Sequence, residues 1–150
     1  MKTIINKILL VAAAVLVFAS CTKSEEAAVK KIAGDWYYET TESDTPIQVY
    51  VSLSKDMTFE LYQKIGEGAF RRRTGTYTYD GTIIDGVYSD KTAWKEAKSV
   101  TVDGDVLVMA GVETGETITY VRKLVPVTVR YHYSDALKSV VDDTVATPWL

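Results

Sequence analysis

The feature that most constrains this chain is the stretch Leu16-Val17-Phe18-Ala19-Ser20-Cys21, which sets its only cysteine directly behind a short apolar run. The stretch has the form of a bacterial lipobox. Lys2 and Lys7 supply a positive start, Ile8 to Phe18 an apolar run, and Ala19-Ser20 the small residues of a cleavage site. The run is too short to cross a bilayer, which takes ~20 apolar residues. Residues 1–20 are therefore expected to be removed as a lipoprotein signal peptide. Cys21 is then the lipid-attachment residue, acylated with palmitate-type chains. Each buried acyl methylene contributes ~0.8 kcal/mol, so two or three chains hold a protein on a membrane where one binds only marginally.

Removing residues 1–20 takes two lysines and no acid, so the net charge falls from −3 to −5. A mildly acidic body has no electrostatic pull toward nucleic acid. Once Cys21 is acylated, no thiol remains for a disulfide, a metal or a nucleophile, and the fold must stand on its apolar core. About 130 residues suffice for one domain, since a chain of this size buries roughly two thirds of its unfolded surface. Residues 21–31, with Ser24-Glu25-Glu26 and several alanines, read as a lipidated flexible tether.

From Ile32 onward, β-branched and aromatic runs alternate with turn residues every eight to twelve positions, the pattern of an all-β domain. Eight strands are expected within residues 32–125: 35–42, 47–54, 58–65, 69–79, 82–88, 99–102, 106–110 and 117–123. Val49, Val51 and Leu53 share one face of the second strand and Tyr50, Ser52 and Ser54 the other. Gly75 inside the fourth strand marks a bulge or sharp bend. Asp80-Gly81 and Asp103-Gly104 read as tight hairpin turns. Connections this short require antiparallel neighbours. The simplest architecture is an eight-stranded antiparallel up-and-down barrel, which removes both exposed edges. In the C-terminal segment, 126–150, Val127, Val129 and Tyr131 suggest one more short strand. Ser134-Asp135 then suggests an N-cap before a helix over 136–141, followed by a frayed tail.

Gly34-Asp35-Trp36 at the start of the first strand is similar to the Gly-x-Trp motif of lipocalins, and Arg122 resembles the arginine that the family sets across that tryptophan. The resemblance spans residues 32–123 and is closest to small lipocalin-like domains in Gram-negative lipoproteins. It implies that Gly34, Trp36 and Arg122 close one end of the barrel by stacking a guanidinium on an indole. Two departures stand out. The family's middle motif of Thr-Asp-Tyr type is replaced by Asp103-Gly104-Asp105, and Asp56-Met57-Thr58-Phe59 reads as an Asp-Gly-Thr-Phe turn without its glycine.

An eight-stranded barrel can be filled by its own side chains or hold one small ligand. Ten tyrosines and three tryptophans suit an apolar pocket with a few polar handles. Arg72, Tyr77, Tyr88 and Trp94 are the candidate ligand-binding residues. Arg72 would point inward if Phe70 does; otherwise it belongs to an exposed basic ladder with partners such as Glu60. Tyr88 and Trp94 flank the longest loop at one rim, where the rings could meet a sugar or a protein or else cap the core. His132 has no second histidine or cysteine for a metal site, and Asp103-Gly104-Asp105 and Asp142-Asp143 are explained by a turn and by solvation. No nucleophile, base and orienter assemble, and no phosphate-binding glycine loop occurs. The expectation is a non-enzymatic protein without cofactor, anchored at the outer membrane on its periplasmic face or at the cell surface. It would bind a small apolar or amphipathic ligand; the alternative is a module with a filled interior, docking an envelope protein or glycan through the barrel rim. Labelled palmitate should enter the wild-type chain, and Cys21→Ser should abolish the label and release the protein from sedimented envelopes.

Overall fold

In the computed structural model, residues 23–42 and 44–135 are described. The expected signal peptide, Cys21 and the helix expected over 136–141 lie outside them. Residues 23–32 form helix α1. Eight strands follow: β1 (Gly34–Thr40), β2 (Ile47–Leu53), β3 (Thr58–Ile65), β4 (Phe70–Tyr79), β5 (Ile83–Tyr88), β6 (Lys98–Asp103), β7 (Val106–Gly111) and β8 (Thr117–Arg122). Helix α2 (Val127–Tyr131) and strand β9 (Tyr133–Asp135) come last.

Neighbouring strands of the eight are antiparallel and hydrogen-bonded in the order β3-β2-β1-β8-β7-β6-β5-β4, and β3 also pairs with β4. The sheet therefore closes into the expected barrel. Strand β4 makes closure possible by serving two partners with its two halves. Arg71–Thr76 pairs with β3 and Gly75–Tyr79 with β5. At Gly75 the strand passes between them. A Cβ there would lie 2.1 Å from the Val87 carbonyl oxygen and 2.7 Å from the Phe59 ring, so only glycine fits. Because β5 uses only the second half of β4, the edge at Phe70–Arg72 remains, and β9 fills it in parallel.

Alternation assigns one face of every strand to the lumen. Trp36, Val49, Val51, Leu53, Phe59, Leu61, Tyr77, Tyr79, Ile84, Tyr88, Val100, Leu107, Met109, Ile118 and Tyr120 pack there as one apolar cluster. The segment expected to be a flexible tether is, from residue 23, a helix whose Val29 and Ile32 belong to the same cluster and are fully buried. The correction has a local cause. Glu25 and Glu26 sit in the first turn and Lys30 and Lys31 in the last, each complementing the helix dipole, while Ala28, Val29 and Ile32 share one side. Where the β4–β5 turn passes α1, a Cβ on Gly81 would lie 3.6 Å from Ala28.

The same end of the barrel carries the Trp36–Arg122 contact. The Trp36 indole N–H donates to the Ile32 carbonyl at 2.8 Å, tying β1 to α1. The Arg122 guanidinium lies 4.1 Å from the Trp36 ring centroid, donates to the Ala33 carbonyl at 3.2 Å and pairs with Asp105 at 3.2 Å. Such a stacked cation contributes ~0.5–2 kcal/mol. Gly34 has φ +133°, and a Cβ there would come within 2.5 Å of Arg122 Nη1. Met57 stands at φ +64°, the left-handed conformation that glycine adopts without strain, and packs its side chain against the core.

The outer wall has a second cluster. Tyr37, Tyr50 and Tyr62 face outward in register across β1, β2 and β3, and Val125, Val129 and Phe70 cover them. The run Val127, Val129, Tyr131, expected as a strand, is the helix α2. Its single buried apolar residue, Val129, seats it on the tyrosine row. Asp35 holds this strap by accepting from Ser52 Oγ (2.6 Å), the Val125 amide (3.0 Å) and Arg130 (3.2 Å). Ser134 and Asp135 pair with β4, where a helix cap was expected. If α1 is part of the domain, Ile32→Ala should cost about 2–5 kcal/mol in urea unfolding, as a buried large-to-small change does. The same change at exposed Lys31 should be close to neutral.

Candidate functional site

The barrel has two unlike ends. Helix α1, Trp36 and Arg122 close one. The other is ringed by the β1–β2, β3–β4 and β7–β8 connections and the long β5–β6 loop, and its inner wall holds the polar side chains of the lumen.

Register fixes which side chains these are. Tyr38 pairs with Val49, Val49 with Gln63, and Gln63 with Arg71, a row running around the inner wall. One step along, buried Leu61 pairs with Arg73. Phe70 points outward, onto Tyr50 (ring centroids 5.8 Å apart), so the two arginines on the lumen side are Arg71 and Arg73. Arg72 is thereby corrected to the outer wall, where it pairs with Glu60 at 3.7 Å beside the Arg130–Glu60 contact. The two readings of Arg72 differed in one residue, the direction of Phe70, and the exposed ladder with Glu60 as partner is the one found.

Arg73 is half-buried, and its guanidinium carbon lies 3.4 Å from the centroid of the Tyr88 ring. Among the described residues it makes no ion pair. Tyr88 is buried, and desolvation pushes its hydroxyl up to about 12 despite the opposing field of Arg73. Tyr120, on β8, is fully buried and meets the Tyr38 ring edge-on at 6.1 Å. Its hydroxyl is also pushed far up by burial, with added contributions from Tyr88 and Tyr38, which places the three phenols in one another's fields.

Trp94 is 4 % exposed. Of the two readings of this ring, one offered to a partner at the rim and one packed on the core, the structure shows the second: the chain after β5 turns back so that Val87 bridges Ala93, and the Trp94 amide donates to the Gly86 carbonyl at 2.9 Å. The indole lies where a Gly86 side chain would be, 2.3 Å from the Cβ position, and packs edge-on to Phe59 at 5.3 Å. Tyr77 faces the lumen near the closed end, and its hydroxyl donates to the Ser54 carbonyl at 2.6 Å. It supports the β2–β3 turn and offers no free polar atom.

Among the described residues, three polar atoms facing the lumen are buried without a hydrogen-bond partner: Tyr120 Oη, Trp94 Nε1 and Gln63 Nε2. All three carry a proton to donate. A buried donor left unmade costs about 1–3 kcal/mol, so native interiors rarely leave one without an acceptor from the chain, a water or a ligand. Of these residues sequence reasoning singled out Trp94 alone. Tyr38, Gln63, Arg73 and Tyr120 could have been found by carrying the inward parity of Leu61 across to β4 and of Trp36 across to β8.

A buried ion pair stands beside this set. Lys98 Nζ lies 3.3 Å from Glu96 Oε1. Glu96 also accepts from Thr114 Oγ1 (2.6 Å), the Glu113 amide (2.8 Å) and the Thr114 amide (3.1 Å). It thereby ties the loop before β6 to the β7–β8 turn. Gly111 leaves the room, since a Cβ there would be 2.2 Å from Glu96 Oε1. Among the described residues no group of three or more His, Cys, Asp or Glu is placed to hold a metal ion. No family model, curated protein or solved structure matches this chain.

The hydrogen bond from Thr114 and the two amides hold the Glu96 carboxyl down at about 2 against an ordinary 4.5. A folded-state value below the unfolded one gives stability that is complete above about pH 4.5 and is lost as the pH falls toward about 2. Urea midpoints should therefore fall steeply over that window in the wild type. In Glu96→Gln the part of the slope that this carboxyl causes should vanish.

Proposed function

We propose that this chain is a non-enzymatic lipoprotein of a Gram-negative outer membrane that holds one small amphipathic ligand in the open half of its barrel. The observation that carries the reading is the set of buried lumen donors, Tyr120 Oη, Trp94 Nε1 and Gln63 Nε2, for which the described residues supply no acceptor. Aromatic walls from Tyr38, Tyr88 and Trp94 with a few polar atoms are what a pocket for an amphipathic molecule needs. A solid barrel built for packing alone would leave fewer such atoms. The closed end, with Gly34, Trp36 and Arg122 in mutual contact, agrees with the lipocalin-like resemblance and supports an up-and-down ligand barrel.

The anchor and the barrel are closely coupled in this reading. Cys21 precedes residue 23 of α1 by two residues, a reach of about 7 Å for extended chain. Helix α1 is packed into the closed end. An acylated Cys21 therefore keeps that end against the bilayer and turns the open end away from it. Ligand exchange then takes place with the aqueous side or with a carrier there. The alternative, docking through a rim built on Trp94, loses its anchor residue because the indole is buried.

Protein extracted from its native envelope under mild conditions should carry one co-purifying small molecule at near-unit stoichiometry in native mass spectrometry. Denaturation should release it. Repeated recovery of empty protein, with no response to an added hydrophobic dye, would contradict the proposal.

A further inference from the structure

The outer wall carries an apolar row that its cover does not finish. In register, Tyr62 pairs with Tyr50, Tyr50 with Tyr37, Tyr37 with Val121 and Val121 with Val106, one outward-facing line across β3, β2, β1, β8 and β7. The strap buries the three tyrosines beneath Val125, Val129 and Phe70. It stops short of the two valines, which stay about half exposed. Leu124, between β8 and α2, is 81 % exposed. Val127 and Tyr131, one turn apart on the side of α2 opposite Val129, are also largely exposed. Single exposed apolar side chains are ordinary. Among the described residues, however, five of the seven large ones fall on this stretch of wall, and a grouped apolar surface marks a contact.

Its place in the barrel says what meets it. Val106 follows the Asp103-Gly104-Asp105 turn and Leu124 stands two residues after Arg122, so the uncovered part belongs to the closed end, where Arg122 meets Trp36 and Asp105. Helix α1 crosses that end. Ala28 lies beside the β4–β5 turn at Gly81, and Ile32 leads into β1, so the helix enters on one side while β8 and β7 stand on the other. Cys21 precedes residue 23 by two residues, at most about 7 Å of chain, and Val29 and Ile32 fix the helix in the barrel. A domain acylated at Cys21 therefore stays within that reach of lipid. One anchor at one side would leave it free to tilt, whereas an apolar group across the same end meets the same bilayer. The nearest cations do not oppose this. Arg122 pairs with Asp105, and Lys123 Nζ lies 4.0 Å from the Tyr37 ring centroid, on a stem long enough to extend its ammonium to headgroups.

Resting on the lipid anchor proposed above, we propose that Leu124, Val127 and Val121 form a second membrane contact, set into the headgroup boundary of the bilayer that holds Cys21. Apolar faces of this kind enter that boundary by ~5–10 Å. Two contacts on opposite sides of one end fix the tilt of the barrel and hold its open end away from the lipid.

Acylation consumes the only thiol of the chain, so a cysteine placed elsewhere is a unique labelling site. The test uses the full lipidated chain in phosphatidylethanolamine and phosphatidylglycerol vesicles, with the fluorophore NBD on Leu124→Cys or, as control, on exposed Lys95→Cys in the β5–β6 loop at the open end. Nitroxide carried on the lipid should quench the label at 124 about 3-fold or more above the label at 95, and aqueous iodide should do the reverse. Val127→Asp should cut lipid quenching at 124 about 2-fold or more and leave sedimentation with vesicles unchanged. The same label on Val127→Cys carries the test if Leu124→Cys fails to fold. A label at 124 open to iodide, in chains that sediment with vesicles, would overturn the second contact and leave the anchor standing. A label shielded from iodide yet untouched by lipid nitroxide would overturn it too and give the patch to a second copy of the chain. Chains that carry no acyl group, or that fail to sediment with vesicles, would overturn the anchor and this inference together.

Discussion

The pairing of β3 with β4 is the constraint on which the rest of this structure depends. It turns a twisted sheet into a closed wall, and from then on each strand has one face toward a shared lumen and one toward water or the C-terminal strap. Closure requires β4 to leave one partner and take another within its own length. Gly75 permits this because no side chain stands between Val87 and Phe59. Everything assigned to the interior follows by alternation from that join, including the separation of Arg71 and Arg73 from Arg72.

Closure also distributes work between the ends. The end near α1 is held by an apolar plug, Val29 and Ile32, by the indole hydrogen bond of Trp36 and by the stacked Arg122. The far end is held by polar means, chiefly the Glu96 carboxylate gathering the β7–β8 turn, while β9 covers the edge that β4 leaves. Apolar burial is indifferent to pH, whereas a carboxylate held by four donors is not. The far end is therefore made acid-sensitive by Glu96.

The strand plan was legible because period-two alternation and turn residues are local signals. Val49, Val51 and Leu53 face inward and Tyr50 outward as the pattern implies. The Gly34, Trp36 and Arg122 contact was legible from motif and position. Three features were not. Helix α1 has an apolar stripe of only Ala28, Val29 and Ile32, too narrow to stand out from a polar linker until a barrel end exists to bury it. Helix α2 reads as a strand because Val127, Val129 and Tyr131 alternate; the tyrosine row beneath decides otherwise through Val129 alone. The direction of Arg72 hung on Phe70, whose outward position comes from Tyr50 on another strand. In each case a tertiary contact overrode a local pattern, and no local pattern could report it.

The central claim is that the lumen donors are met by something other than the chain. A crystal structure of protein taken from its native envelope, at a resolution that shows ordered small molecules, tests it directly. The account predicts a non-protein molecule with an acceptor atom within hydrogen-bonding distance of Tyr120 Oη or Gln63 Nε2. A lumen in which these donors bond to groups of the chain itself, with no other molecule beside them, would contradict it.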